Sequence, residues 1–143
     1  MQVKDVMTKD VEVVWPDATL EEAAKKMKSL DIGPLPVCDG EKLVGVLTDR
    51  DITVRATAEG RDPKQTKVRE VMSKELITIV EDQDVEEAAK LMQSKQIRRV
   101  PVLSRDKRLV GILSLGDLAQ RTQDSKLAGK TLEEVSTPGK SPR

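Results

Sequence analysis

Short apolar runs alternate with polar stretches along the first sixty residues, and the period of each run indicates its structure. Val3, Val6 and Met7 have the spacing of a single helical turn. The extended stretch Val11–Trp15 favours a strand. The later elements predicted in this part are the strands Leu35–Cys38 and Lys42–Leu47 and a helix that begins near Asp49.

The longest helix of this part is predicted from its start signal and its apolar face. Thr19 and Glu22 have the spacing of a capping box, in which each side chain bonds the backbone N–H of the other residue. Apolar residues then recur every three or four positions, which gives the helix one stripe to bury. The stripe consists of Leu20, Ala23, Ala24 and Met27.

The whole pattern occurs a second time. Val6-Met7 returns 65 residues later as Val71-Met72, and from Leu43, which matches Leu109, the offset is 66. Such self-similarity indicates two copies of one structural unit. The elements predicted in the second copy are a turn with Val68, Val71 and Met72, a strand at Leu76–Val80, a helix after Asp84 with the stripe Val85, Ala88, Ala89 and Met92, strands at Val100–Leu103 and Arg108–Leu113, and a helix from Leu115.

Each copy therefore has the order helix, strand, helix, strand, strand, helix, which predicts a mixed α/β (α+β) fold. We assign the first copy to residues 1–60, a linker to 61–67 and the second copy to 68–122. Gly60, Asp62 and Pro63 mark the region of the linker. The tail 123–143 is polar, and we expect it to be partly disordered, with one or two weak helical turns at Leu127–Val135.

Composition and charge narrow the possible partners. The 25 basic and 25 acidic residues balance, and Trp15 is the single aromatic residue. Binding along nucleic acid needs a basic face and usually aromatic stacking platforms, so we expect no nucleic-acid partner. No run approaches the ~18 apolar residues of a membrane span, and the N-terminus lacks the pattern of a signal peptide. We therefore expect a cytoplasmic protein with no membrane partner.

Histidine is absent and Cys38 is the only cysteine. Within one chain this excludes a Cys/His zinc site, a Ser-His-Asp triad, a Cys-His dyad and an internal disulfide. We expect no catalytic residue, no metal and no cofactor. Cys38 is interpreted as a small hydrophobic residue at a strand end, with a redox thiol between subunits as the alternative. Trp15 is interpreted as a core or cleft-edge residue, with adenine stacking or a dimer contact as alternatives.

One short element carries the candidate chemistry, the spacing Gly-x-x-Thr/Ser-x-x-Asp. A hydroxyl residue three positions before an acid is what a helix N-cap needs by itself. The same geometry suits a nucleotide, because the free N–H groups of a helix N-terminus attract phosphate and a carboxylate accepts bonds from both hydroxyls of a ribose. Capping alone and ligand binding both stay open. The element occurs at Gly45, Thr48 and Asp51 and again at Gly111, Ser114 and Asp117.

Three segments of each copy carry a more specific pattern. They are Val3–Met7, Ile32–Val37 and Gly45–Ile52 in the first copy, and Val68–Met72, Ile97–Val102 and Gly111–Leu118 in the second. This pattern resembles the CBS (cystathionine beta-synthase) domain family in its tandem form, the Bateman module. The chain is similar to small stand-alone CBS pairs of bacteria such as the hypoxic response protein group, so we expect no attached enzyme, channel or transporter.

The resemblance implies a three-stranded sheet with two helices in each copy, and two copies packed about a pseudo-twofold axis with two clefts between them. Each cleft would pair the Thr/Ser-x-x-Asp of one copy with the segment before Pro-Val of the other. The first cleft would contain Thr48, Asp51, Thr78, Ile79, Arg98, Arg99 and Val100. The second would contain Ser114, Asp117, Gly33, Pro34 and Leu35. The two arginines would bind phosphate in the first cleft, whereas Gly-Pro offers no such donor in the second.

The resemblance and the residues together predict a non-enzymatic regulatory module that binds an adenosine nucleotide, AMP, ADP or ATP. The alternatives are NAD(H) or S-adenosylmethionine as the ligand, and an interaction-only scaffold that binds no ligand. Members of the family commonly associate in pairs, so we expect a homodimer. The protein that such a module would regulate is not identified by the sequence.

Overall fold

The structure is a computed structural model that describes residues 1–122 and 124–137. In chain order the helices are α1 (Val3–Val6), α2 (Leu20–Leu30), α3 (Asp49–Asp51), α4 (Val85–Lys95), α5 (Leu115–Arg121) and α6 (Ser125–Val135). The strands are β1 (Leu35–Asp39), β2 (Lys42–Leu47), β3 (Ile79–Val80), β4 (Arg99–Leu103) and β5 (Leu109–Ser114). A π-helical segment, Ile52–Thr57, continues α3, and Val68–Glu70 forms a single 3-10 turn.

The described chain divides into two compact units. The first unit is continuous and runs from Glu12 to Leu76, whereas the second combines Met1–Val11 with the chain from Ile77 onward. The mixed helix-and-strand fold expected from the sequence is therefore present, with one small sheet in each unit.

In the first unit, β1 and β2 form an antiparallel pair with α2 against them. A single parallel bridge joins Val14 to Val37, so the predicted strand Val11–Trp15 is reduced to one paired residue. The buried side chains of α2 meet those of the two strands in one cluster. That cluster contains Val14, Leu20, Ala23, Met27, Leu35, Val37, Leu47, Ala56, Val68 and Val71.

The second unit has a complete three-stranded sheet. β3 pairs with β4 in parallel, and β4 pairs with β5 in the antiparallel direction. The predicted strand Leu76–Val80 is shorter than expected and pairs only at Ile79–Val80. The core cluster contains Val3, Val6, Met7, Ile79, Val85, Ala88, Ala89, Met92, Ile97, Val100, Val102, Leu113 and Leu118.

The short turn that begins each sequence copy packs in the unit of the other copy. Thr8 and Ile112 exchange backbone hydrogen bonds of 2.8 and 3.0 Å, which places α1 beside β5. Val46 and Ser73 make the same exchange at 3.0 and 2.9 Å, which places the 3-10 turn beside β2. The structural units therefore differ from the sequence copies 1–60 and 68–122, since each unit takes its first turn from the other copy.

The predicted linker 61–67 is packed rather than loose. The backbone N–H groups of Leu20 and Glu21 donate to the carbonyl oxygens of Thr66 and Pro63, so the linker satisfies donors at the start of α2 that the helix leaves open. Thr66 is buried. The linker is thus part of the first unit.

The C-terminal helix α6 is longer and better packed than the weak turns predicted at Leu127–Val135. It lies against α4 and α5. Thr131 is fully buried, and its hydroxyl accepts a hydrogen bond of 3.1 Å from Gln93. The amide of Gln96 donates to the carbonyl oxygens of Glu134 and Thr137 at 2.8 and 2.9 Å. Residues 138–143 of the predicted tail lie outside the described residues.

Candidate functional site

Thr48 and Asp51 stand where β2 passes into α3. The backbone N–H of Asp51 donates to the Thr48 hydroxyl at 3.0 Å, and the backbone N–H of Thr48 donates to Asp51 Oδ2 at 2.9 Å. This reciprocal pair is the capping box that the spacing predicted. It fixes the carboxylate at the end of the strand with one oxygen, Oδ1, turned away from the cap.

Ser114 and Asp117 repeat the arrangement where β5 passes into α5. The two reciprocal bonds both measure 3.0 Å. The two copies therefore present a hydroxyl and a carboxylate in the same local geometry. Capping accounts for one carboxylate oxygen in each copy, and the difference between the copies lies in the other oxygen.

The glycine that begins each element has a packing role. A Cβ on Gly45 would lie 2.6 Å from Met72 Sδ and 2.9 Å from the carbonyl oxygen of Ser73. A Cβ on Gly111 would meet Met7 and Thr8 at nearly the same distances. Real Cβ atoms do not approach backbone oxygens this closely, so each glycine admits the turn that comes from the other copy.

Two arginines that the sequence interpretation missed contact the candidate carboxylates. Arg55 Nε lies 3.9 Å from Asp51 Oδ1, and Arg121 Nε lies 3.7 Å from Asp117 Oδ1. Both are four positions after their aspartate. Arg55 and Arg121 match each other at the offset of 66, so the repeat alignment contained the signal that would have found them.

Each arginine also holds the end of the neighbouring turn. Arg55 Nη1 donates to the carbonyl oxygens of Val71 and Met72 at 3.1 and 3.3 Å. Arg121 makes the equivalent bonds to Val6 and Met7 at 3.3 and 3.0 Å. The guanidinium groups thus connect each candidate carboxylate to the turn that packs beside it.

The carboxylate of Asp117 accepts hydrogen bonds from one more side chain than the carboxylate of Asp51 does. The Thr8 hydroxyl donates to Asp117 at 3.3 and 3.4 Å from its two oxygens. Ser73 occupies the matching position in the first copy, and no hydrogen bond joins it to Asp51 among the described residues. Asp51 Oδ1 therefore has only the long contact with Arg55 in the described chain, while Asp117 Oδ1 is shared between Thr8 and Arg121.

The segments before each Pro-Val differ in charge. Arg98 and Arg99 are both exposed at the start of β4, and the Arg98 carbonyl oxygen accepts a hydrogen bond of 2.8 Å from Leu115. In the first copy, a Cβ on Gly33 would lie 3.0 Å from Asp49 Oδ1. A carboxylate thus borders the position that Arg98 fills in the second copy. The two segments therefore differ in charge, and the inequality of the two clefts stays a prediction.

The other predicted site residues are placed more deeply. The side chains of Leu35, Ile79 and Val100 belong to the two cores, so only their backbone groups remain for a ligand. Thr78 and Pro34 are half-buried.

The CBS domain profile matches this chain twice, at residues 3–56 and 68–124. The chain belongs to the CBS-domain family. It is similar to the CBS domain-containing protein YhcV of Bacillus subtilis, at 46% identity over 134 residues that cover 94% of each chain. It is also similar to Hypoxic response protein 1 of Mycobacterium tuberculosis, at 38% identity over 118 residues that cover 82% of each chain.

Solved structures of CBS pairs have the same fold. The Hypoxic Response Protein I structure with two coordinated zinc ions matches with a TM-score of 0.75 and 37% identity, and covers 84% of this chain and 98% of that one. The CBS domain pair of protein MJ0100, in complex with 5-methylthioadenosine and S-adenosyl-L-methionine, matches with a TM-score of 0.70 and 32% identity. This match covers 84% of this chain and 94% of that one. CBSX2 in complex with AMP matches with a TM-score of 0.73 and 27% identity, and the match covers 87% of this chain and 98% of that one.

The residues of this CBS pair do not fit a zinc site of the Cys/His type. The sequence has no histidine and one cysteine. Within residues 1–122 and 124–137, no group of three or more His, Cys, Asp or Glu side chains could hold a metal ion. The zinc ions of the related structure are therefore not transferred to this chain. None of the described helices is long and apolar enough to cross a membrane.

Two smaller predictions have clear outcomes. Cys38 is buried in β1, and burial raises the pKa of its thiol to about 11, so the interpretation as a small hydrophobic residue is confirmed. Trp15 is 55% exposed, so its interpretation as a core residue is wrong. The strand that would have buried it pairs only at Val14, and the indole lies beyond that contact.

Proposed function

We propose that this CBS pair is a non-enzymatic sensor that binds an adenosine nucleotide, with the first copy as the dominant site. One observation carries the proposal. Asp51 Oδ1 has only a 3.9 Å contact with Arg55 among the described residues, whereas Asp117 Oδ1 also accepts from Thr8. The first copy therefore has a carboxylate oxygen that can accept new hydrogen bonds.

The chemistry of this oxygen suits a ribose. The two neighbouring hydroxyls of a ribose both donate, and a carboxylate accepts such bonds more strongly than a neutral group does. Thr48 adds a second function, because its hydroxyl oxygen accepts from Asp51 while its proton remains free to be donated to a phosphate oxygen. A sugar–phosphate ligand satisfies both groups.

Related proteins support the adenosine part of the proposal. The matching CBS structures include one in complex with AMP and one in complex with 5-methylthioadenosine and S-adenosyl-L-methionine. All three ligands contain adenosine and differ beyond the ribose. We assign the phosphate preference of this chain to Arg98 and Arg99, which are exposed and carry guanidinium groups able to make paired bonds to phosphate.

The proposal is tested by titration calorimetry with AMP, ADP, ATP, adenosine and S-adenosylmethionine. We expect a phosphate-bearing ligand to bind, and Asp51→Ala to weaken it by about 1.5–3 kcal/mol, the range for hydrogen bonds to a charged group. Asp117→Ala serves as the matched control and should weaken binding much less. Melting curves of both variants separate loss of the ligand from loss of the cap.

Three results would contradict the proposal. Binding abolished by Asp117→Ala but not by Asp51→Ala would place the dominant site in the second copy. If adenosine binds as tightly as AMP, the proposed preference for a phosphate-bearing ligand is contradicted. No binding of any compound, with no rise in melting temperature, would favour the interaction-only scaffold.

A homodimer and a cytoplasmic location belong to the same proposal. Exposed apolar side chains such as Trp15, Leu30 and Val54 would be covered in part by a second copy. Sedimentation equilibrium at micromolar protein should give about twice the 15.8 kDa of the chain. A mass of one chain would contradict the dimer without affecting the ligand.

A further inference from the structure

The strongest unused feature of the first unit is the position of Arg55 between two groups. Its Nε faces Asp51 Oδ1 at 3.9 Å, and its Nη1 donates to Val71 and Met72 at 3.1 and 3.3 Å. The carboxylate is the candidate ligand group, and the two carbonyl oxygens end the 3-10 turn that begins the second sequence copy. One side chain thus contacts both the candidate site and the chain that leads out of the first unit.

We propose that Arg55 is a positioning residue that transmits occupancy of Asp51 to the segment Val71–Ser73. This inference rests on the proposed function. A ribose hydroxyl that donates to Asp51 Oδ1 displaces water from the carboxylate that the capping box already fixes. With less water between the two charges, the carboxylate attracts the guanidinium more strongly, and the guanidinium in turn holds the two carbonyl oxygens more firmly.

The local structure allows this transmission. The side chain of Arg55 is 50% exposed and that of Asp51 14%, so Arg55 retains rotamer freedom that a ligand can remove. Arg55 also lies within the π-helical segment Ile52–Thr57, which follows Asp51 directly. π-Helical turns are rare and occur frequently at functional sites. The matching helix α5 of the second copy is an ordinary α-helix.

The receiving segment contains amides whose protection can be measured. The Met72 N–H donates to Val68 at 3.0 Å, and the Ser73 N–H donates to Val46 at 2.9 Å. Ser73 lies three residues before Leu76, where the first unit ends.

Hydrogen exchange of the full chain with and without AMP tests the inference. In the wild-type protein we expect AMP to slow exchange of the Met72 and Ser73 amides about five-fold, the low end of typical coupling between sites. In Arg55→Gln we expect AMP still to bind while this slowing is lost. Arg55→Lys keeps the charge near Asp51 but lacks the planar fork that bonds both sides, so it should lose the slowing too.

Two matched variants serve as controls. Arg121→Gln removes the equivalent arginine of the second copy, and Arg50→Gln removes an exposed arginine of the same helix as Asp51. Both should retain the slowing at Met72 and Ser73. Slowing that persists in Arg55→Gln and Arg55→Lys overturns the role of Arg55, as does AMP binding to the wild-type protein without any slowing. Absence of binding by every nucleotide of the calorimetry panel overturns the proposed function as well, so the two failures are distinguishable.

Discussion

Helices α2 and α4 are the same element of the two copies, yet their outer faces have different surroundings. Ala89 in α4 is fully buried, and Gln93 of the same helix and Gln96, which follows it, both bond to residues of α6. The matching residues of α2 are Ala24, Lys28 and Asp31, and all three are exposed. The carboxylates show the same contrast, since Asp117 is bonded by Thr8 and Asp51 is not bonded by Ser73.

The comparison shows that the two duplicated copies differ in how far the same positions are covered and bonded. The second copy has a covered helix and an occupied carboxylate, which are features that favour stability. The first copy has polar residues on the same helix face and an aspartate with one acceptor oxygen available, which are features that favour binding. Four pairs of matched variants test this contrast, beginning with the pair that has the largest expected effect.

The largest difference in stability between the two copies is expected when a lysine is placed at matching positions of α4 and α2. Ala89→Lys places a charge at a fully buried position of α4, and we expect it to lower the free energy of unfolding by about 3 kcal/mol, because a buried charge without a partner is costly. Ala24→Lys should change it by less than about 0.5 kcal/mol, as is usual at an exposed site. Urea unfolding measures both. Equal losses would show that Ala89 is no more buried than Ala24 in solution.

Removal of the two carboxylates should cost unequal amounts of stability. Asp117→Ala loses a cap, a bond from Thr8 and a contact with Arg121, so we expect a loss of about 2 kcal/mol. Asp51→Ala loses a cap and a contact with Arg55 but no bond from a neighbouring hydroxyl, so we expect a loss of about 1 kcal/mol. Thermal unfolding without ligand compares them. A larger loss for Asp51 would reverse the assignment of the stabilising copy.

Arg99 and Pro34 are matching residues of the two copies, and their substitution tests the preference for phosphate. Arg99→Ala should weaken binding of AMP and ATP by about 1.5 kcal/mol and leave adenosine nearly unchanged, because its expected partner is phosphate. Pro34→Ala changes the matching residue without removing a charge and should leave both ligands unaffected. Equal weakening of AMP and adenosine by Arg99→Ala would contradict the role of Arg99. The pairing of Arg99 with Asp51 in one site stays a prediction.

The smallest effect concerns the hydroxyl that distinguishes the two aspartates. Thr8→Val removes the bond to Asp117 and keeps the shape of the side chain, and we expect it to cost about 0.5 kcal/mol because Thr8 is exposed. Ser73→Ala, at the matching position, should cost nothing measurable. Chemical unfolding of the two variants in parallel makes the comparison. A greater cost for Ser73→Ala would mean that Asp51 is also bonded by its neighbour.

Much of the fold followed from the sequence because its signals are local. The capping boxes at Thr19 and Thr48 are set by residues three positions apart, and both are present. The strand Lys42–Leu47 has the predicted bounds because alternation and flanking turns define it. The repeat offset also placed both candidate carboxylates at matching strand ends.

The remaining features depend on contacts that no local pattern specifies. Val3 and Val6 form the same turn whichever unit buries them, so periodicity did not show that α1 packs beside β5. α6 was underestimated because Leu127, Ala128 and Val135 are few among polar residues, and Gln96 stabilises the end of the helix from a distant position. Arg55 was missed although Asp51 lies only four positions before it, because the carbonyl oxygens that fix its guanidinium belong to Val71 and Met72, in a later part of the chain.

The exchange of first turns also bears on the order in which the protein can fold during synthesis. The stretch from Glu12 to Leu76 contains every residue of its unit, so it can close as soon as that stretch leaves the ribosome. The other unit combines Met1–Val11 with the chain from Ile77 onward, and its contact between Thr8 and Asp117 joins residues 109 positions apart. Contacts of such high sequence separation form late and slow the folding of a domain. Met1–Val11 are made before the rest of their unit, so they lack their partners in β5 and α5 until those elements emerge.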